Sequence, residues 1–356
     1  MDTITDLIRD VPIPKMVKIR QNFDRTHIPE TELAGVVTRE LDREEIGGKI
    51  LPGQKIAITC GSRGITHYAV MARAMVDFVK SKGAEPYIVA SMGSHGGATA
   101  GGQLQILRDY GITEEAMGCP VKSSMETVEI GLSAVRKQPV RIDKYASEAD
   151  GILLFNRVKP HTSFRGRYES GLMKMMAIGL GKQHGAENIH HQSPGIMHEL
   201  VEEYGRAVME NCPILGGIAI VENAYDETYL VEGLSPEEII TEEPKLRDLS
   251  YETIAHLLFD ECDVLVVDKI GKNFSGDGMD PNISGRFVQP QYCSGGIDAE
   301  KVVILDLSDE THGNAQGIGL AEVTTRRLFN KMKLEMTYPT GVTNTFLHLM
   351  KIPMIM

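Results

Sequence analysis

Short runs of aliphatic and β-branched residues alternate along this chain with longer stretches whose apolar positions recur at helical spacing. KIAITC at 55–60 reads as a strand. The loop GSRGIT follows it, and then a stretch in which Val70, Ala74, Phe78 and Val79 share one helical face before Gly83 closes it. PYIVAS at 86–91 repeats the pattern with the loop MGSHGGATAGG and the helical GQLQILRDYG, stopped by Gly111. GILLFN at 151–156 is a third strand and ILGGIAIVEN at 214–223 a fourth, with helix expected from beyond His191 through about Glu210. Strand, loop and helix repeating at this spacing predict a parallel sheet of the α/β class.

The same pattern resumes late in the chain. YETIAHLLFDECD is expected as a helix leading into the strand VLVVDKI at 264–270. VVILDL at 302–307 is a further strand and GNAQGIGLAEVTTRRLFNKM a further helix. Between the two series lies SPEEIITEEPKLRD, acidic and bracketed by prolines, which reads as an interdomain connection. Residues 1 to about 50 read as an irregular lead-in with a charged helical patch at 40–45 closed by Gly47 and Gly48. The expected architecture is two α/β domains with mainly parallel sheets, residues 1–250 and 251–356, with a cleft between them where small molecules bind.

Composition narrows the function classes. A length of 356 residues exceeds what one core usually organises. A net charge of −12 argues against a nucleic-acid surface and requires any anionic ligand to be met by a few concentrated cations. The five cysteines are scattered with no CxxC pair, which suits a reducing compartment and offers neither a zinc ribbon nor a disulfide framework. There is no apolar leader in MDTITDLIRD and no run near the ~20 residues that span a bilayer, so a cytoplasmic protein with no membrane partner is expected.

In parallel α/β sheets ligands collect where the carboxyl ends of strands open into loops. Two such loops carry reactive side chains, Arg63 in GSRGIT and His95 in MGSHGG, where small neighbours leave the imidazole room to act as acid or base. The densest stretch follows the third strand. From Lys159 to His191 it holds four of the chain's eleven histidines and many glycines. KPHTSFRG places His161 after a proline, with Arg165 four residues on. In ESGLMKMMAIGLG, Lys174 stands among Leu172, Met173, Met175, Met176 and Ile178. It is either the wet face of an amphipathic helix, the simpler reading of the pattern, or a lysine whose apolar surroundings make it nucleophilic. GAENIHH reads as the start of a helix in which His190 and His191 diverge by about 100°; His184 and His191 can share a face. The late loop GKNFSGDGMDPNISGR lacks calcium-loop spacing and reads as substrate-facing, with Lys272 and Arg286 as carboxylate anchors. No GxGxxG after the first strand and no phosphate-binding P-loop are present.

Taken together, these residues resemble the nickel-pincer lactate racemase family of 2-hydroxyacid racemases and epimerases, most closely from GSRGIT to GAENIHH and more loosely through GKNFSGDGMDPN. The resemblance implies a nickel-pincer nucleotide, pyridinium-3-thioamide-5-thiocarboxylic acid mononucleotide, linked to Lys174 in its Ser170-Gly171-x-x-Lys174 context with Gly179 beyond. It implies Arg63, Ser170 and Gly171 as cofactor contacts, His190 as nickel ligand ahead of His191, and His95 and His161 as the acid–base pair. The family's D-x-N segment falls on Asp280 and Asn282. Cys60 stands where the lactate enzymes carry an acidic residue, and their tyrosine and lysine beyond D-x-N are replaced by Ser284 and Arg286. The implied function is racemisation or epimerisation of a 2-hydroxy acid larger or more polar than lactate, such as a sugar acid. Cofactor-synthesis and nickel-insertion enzymes are the implied partners. Two other readings stay open: a zinc hydrolase or lyase using His184, His190 and His191, and a non-catalytic binder of cofactor or hydroxy acids.

Overall fold

The structure is a computed structural model that describes residues 9–12, 14–62, 64–338 and 354–355. Strands β1 (Lys55–Cys60), β2 (Glu85–Ala90), β3 (Val121–Lys122), β6 (Gly151–Arg157), β7 (Ile214–Glu222) and β8 (Thr228–Leu234) form one sheet, ordered β3-β2-β1-β6-β7-β8. All neighbours are parallel except β7 and β8. A separate hairpin, β4 (Thr127–Leu132) and β5 (Pro139–Asp143), was not legible in the sequence; β4 buries none of its residues, while β5 buries Val140, Ile142 and Asp143.

Alternation along the central strands sends side chains to two cores. Ile56, Ile58, Leu153 and Phe155 face one side of the sheet; Ala57, Ile152 and Leu154 face the other. The first side is covered by the helix Tyr68–Ser81, which buries Met71, Met75, Phe78 and Val79, and by a second helix, Glu30–Leu41. That second helix corrects the irregular lead-in: Leu33, Val37 and Leu41 recur every four residues and are buried, a short stripe inside an otherwise charged segment. The other face carries the helix Met197–Asn211, which begins some residues after His191.

The acidic stretch expected as a connection is two helices, Pro236–Thr241 and Glu243–Thr253. Its prolines occupy the first positions of each helix, where proline fits, and Ser235 with Glu238 forms a capping box. Ile239 and Leu246 join the core that Ala57, Ile152 and Leu154 form on one face of the first sheet. The helix expected over 251–263 therefore ends at Thr253, and the next strand starts earlier than the pattern indicated.

The second sheet contains β9 (Glu261–Ile270), β10 (Asp298–Leu307), β11 (Val323–Thr324) and β12 (Met354–Ile355), ordered β12-β11-β10-β9 and parallel throughout. Val302, Ile304, Leu307 and Leu328 centre its core. Of the long helix expected over 313–332 only Arg326–Lys331 is helical, capped by Thr325; Gly317 has φ +91° and breaks the segment before it. Among the described residues no helix is long and apolar enough to cross a membrane.

Candidate active site

The chain runs from β1 to β2 on one side of the first sheet and returns to β6 on the other, so the strand order reverses at the β1/β6 pair. Loops leaving such a pair part in opposite directions and open a crevice at the carboxyl ends. A cavity of about 560 Å³ lies there, within the range usual for small-molecule sites. Its walls come from the loops after β1, β2 and β6, from the segment around Lys174, and from residues 272–276, which follow β9 of the second sheet.

His95, His161, Ser170, Lys174 and Lys272 all line this cavity. His95 sits in a loop where Gly93, Gly96, Gly97 and Ala98 have positive φ, and its Nδ1 lies 2.5 Å from Ser62 Oγ. Beneath it, the buried Gln103 amide donates to the carbonyls of Gly93 (2.9 Å) and His95 (3.3 Å). Gln103 Oε1 accepts from Lys182, whose fully buried ammonium also donates to Ala90 O (2.7 Å) and faces the buried Asp143 at 3.4 Å. Burial pushes the Lys182 ammonium down and the Asp143 carboxyl up. No sequence signal marked Lys182 or Gln103, because burial of a polar chain has no local pattern.

His161 is held at both backbone groups. Its N–H donates to Glu169 Oε2 (2.8 Å) and its carbonyl accepts from Arg165 Nη1 (2.5 Å). The ring stacks on Phe164 at 4.2 Å, and Nδ1 accepts from Ser163 N–H (3.0 Å). In the neutral ring the proton is then on Nε2.

Lys174 ends a single helical turn, Leu172–Lys174, that passes into the π-helical turn Met175–Gly179. It is the one residue from Gly171 to Lys182 that is not buried, so its half-exposed side chain faces the cavity from an apolar wall. π-turns are rare and concentrate at functional sites. A Cβ at Gly179 would stand 2.5 Å from Met175 Sδ and 2.8 Å from the Ser91 carbonyl, so only glycine lets this turn pack on the end of β2. The turn's start is capped by Glu243, which is 1% exposed: Oε2 accepts from Leu172 N–H (2.9 Å) and Met173 N–H (3.1 Å). Burial pushes the Glu243 carboxyl up to about 8. A Cβ at Gly171 would collide with this carboxylate. Glu243 belongs to the stretch expected as a linker, so the sequence reading passed over it.

GAENIHH is the end of a helix, not its start: Lys182–His190 finishes there, with His191 as its cap. His190 is reached by solvent yet sits among enough protein atoms that desolvation, with the Lys174 cation and His191 adding to it, pushes its imidazole down to about 4. His190 is not among the residues lining the cavity itself. His184 and His191 are exposed, and among the described residues no group of three or more His, Cys, Asp or Glu is placed to hold a metal ion, which removes support for a zinc site on His184, His190 and His191.

Arg63 lies outside the described residues. Arg286 is absent from the cavity lining: it pairs with Glu322 at 3.1 Å and donates to the carbonyls of Ala299 (2.7 Å) and Glu300 (3.1 Å). Its pairing joins the stretch between β9 and β10 to the residue just before β11, whereas Lys272 stands exposed at the cavity wall. Arg157, which the sequence did not single out, also lines the cavity and pairs with the buried Glu222.

Residues 58–233, just under half of the chain, match the family model described as a domain of unknown function (DUF362). No curated protein matches. Among solved structures, the lactate racemase apoprotein from Thermoanaerobacterium thermosaccharolyticum is similar at 15% identity and a TM-score of 0.49, over 77% of this chain and 67% of that one. The α/β class itself rests on the two mainly parallel sheets described above.

Proposed function

We propose that this protein is a racemase or epimerase of a 2-hydroxy acid larger or more polar than lactate, working with a nickel-pincer nucleotide linked to Lys174. The observation that carries the reading is the convergence of His95, His161 and Lys174, from two strand ends and a π-turn, on one cavity at the switch point of the sheet. The residues fit such a group. Lys174 is the one half-exposed side chain of an otherwise buried wall, and His190 is kept as neutral imidazole, the form that binds nickel. A cofactor that brings sulfur ligands of its own needs only one imidazole from the protein.

When bound, such a cofactor supplies a ring carbon that takes up and returns hydride at the substrate's α-carbon. The chain supplies position and protons. In the tautomer whose Nδ1–H donates to Ser62 Oγ, His95 offers Nε2 as a base for the substrate hydroxyl, while His161, whose Nδ1 accepts from Ser163 N–H, offers Nε2–H as a donor. The opposite enantiomer points its hydroxyl the other way, and His161 can take that proton only with Nε2 free, a state in which Nδ1 gives up the Ser163 N–H bond. Lys272, from the second domain, meets the carboxylate, and closure of that domain excludes water.

The test is the intact mass of protein produced together with the cofactor-synthesis and nickel-insertion enzymes. A nucleotide-sized adduct is expected, mapping to Lys174 and lost in Lys174→Ala, with nickel present. A second arm follows optical purity of a panel of sugar acids. Unmodified protein, or an adduct that survives Lys174→Ala, refutes the tether. An adduct with no loss of optical purity in any acid would instead support a carrier of the cofactor.

A further inference from the structure

The guanidinium of Arg165 reaches in two directions from the loop that follows His161. Toward the first domain, Nη1 donates to the His161 carbonyl at 2.5 Å and stands 3.6 Å from Glu169, the buried carboxylate that accepts the His161 N–H. Toward the second domain, Nη2 donates to Asn282 Oδ1 at 2.6 Å and to the Ser294 carbonyl at 3.0 Å. The same plane lies 4.9 Å over the Phe287 ring of the second domain and 5.5 Å from the Tyr251 ring, whose hydroxyl donates to Glu169. Asn282 is itself oriented, since its amide donates to Asp280 Oδ1 at 2.9 Å.

Each end of this bridge is built. Glu169 is 2% exposed and receives N–H groups from both His161 and Gly166, so the His161 backbone cannot shift without unpairing a buried carboxylate. On the far side, Gly295, next to Ser294, has φ +128°, a backbone conformation that residues with a side chain rarely adopt. A planar fork with donors on both arms suits this task, and the point charge of a lysine does not.

We infer that Arg165 is a positioning residue that couples closure of the second domain, through Asn282 and Ser294, to the placement of His161. The role of His161 in acid–base chemistry rests on the function proposed above; the mechanical coupling does not. When the second domain docks, its loop holds the guanidinium, and the guanidinium with Glu169 holds both backbone groups of His161. When it withdraws, the carbonyl of His161 loses a charged donor and the imidazole loses its fixed aim. The site would thus be assembled only in the closed form, as substrate binding in the cleft requires.

The experiment is hydrogen exchange on the full-length protein, wild type against Asn282→Ala and Arg165→Lys, with small-angle scattering on the same samples. Asn282→Ala removes an acceptor in one domain, and the expected result is exchange at the His161 and Ser163 amides, in the other domain, faster by about tenfold, the loss of one charge-assisted bond. Arg165→Lys is expected to match it, and scattering to show a more open particle in both. Faster exchange confined to residues 280–296, with His161 and Ser163 unchanged, overturns the coupling. If Arg165→Lys fails to fold, Asn282→Ala alone decides. Where racemisation is measurable, kcat should fall with KM nearly constant. If wild type racemises nothing, the functional reading fails while the exchange data still judge the latch.

Discussion

Glu243 offers the most direct test of how the Lys174 segment is held. It sits at the start of its own helix, yet its carboxylate caps another, accepting from the backbone N–H groups of Leu172 and Met173 at 2.9 and 3.1 Å. In Glu243→Ala both donors are left buried. Each unpaired amide costs about 1–3 kcal/mol, partly offset because a desolvated carboxyl is removed, so a net loss of about 2–4 kcal/mol is expected. Glu243→Gln keeps an acceptor oxygen in place and should lose much less. The pair also carries a pH signature. The Glu243 carboxyl is raised from 4.5 to about 8 in the folded protein. Between those values the native state holds a proton that the unfolded state has released, so the wild-type contribution is full below pH 4.5 and is lost as pH rises through 8. The ceiling of that loss is of order 5 kcal/mol. Urea unfolding of wild type and Glu243→Gln, followed by far-UV circular dichroism at pH 5.5, 7 and 9, isolates it. The stability difference, wild type minus Gln, should fall steadily with pH. A difference that is flat or rises with pH, or a Glu243→Ala protein within about 0.5 kcal/mol of wild type, would refute the capping argument.

Gly179→Ala drives a methyl against Met175 Sδ and the Ser91 carbonyl, and the backbone oxygen cannot yield. A loss of about 1–3 kcal/mol is expected in thermal or urea unfolding, with an unwound π-turn that lowers adduct formation at Lys174. His190, lowered to about 4 mainly by desolvation, should keep a neutral imidazole through pH 5–8, so its ring carbon-13 shift should not move over that interval. Any stability tied to it is present above the usual imidazole value and lost as pH falls toward 4. Titration of the His190 ring near pH 6.5 would show that its surroundings do not desolvate it.

Much of the site was legible because its signals are local. Strand-to-loop junctions mark where side chains leave a parallel sheet, so His95 and His161 could be picked out from MGSHGG and KPHTSFRG before any coordinates. Lys174 was ambiguous on pattern, and the structure adds its place: from Gly171 to Lys182 it alone is not buried, and it lines the cavity. Arg286 shows the opposite failure, a basic residue in a suggestive loop whose charge is already used by Glu322. Arg63 falls outside the described residues and stays an expectation.

The sequence by itself determined the α/β class, four of the six strands of the first sheet, two of the four of the second and the glycine-rich loops, because alternation, helical spacing and turn residues act within a few positions of one another. Only the tertiary structure decided which of those loops share a cavity. That depends on the strand order reversing between β1 and β6, which no local pattern encodes. It also decided the support beneath the site: Glu243 capping the Lys174 turn from 71 residues away in sequence, Gln103 and Lys182 under His95, and Arg165 across the domains. Such groups are polar residues recruited by burial. Their partners are chosen by the fold, and their chemistry becomes visible only once the chain has packed around them.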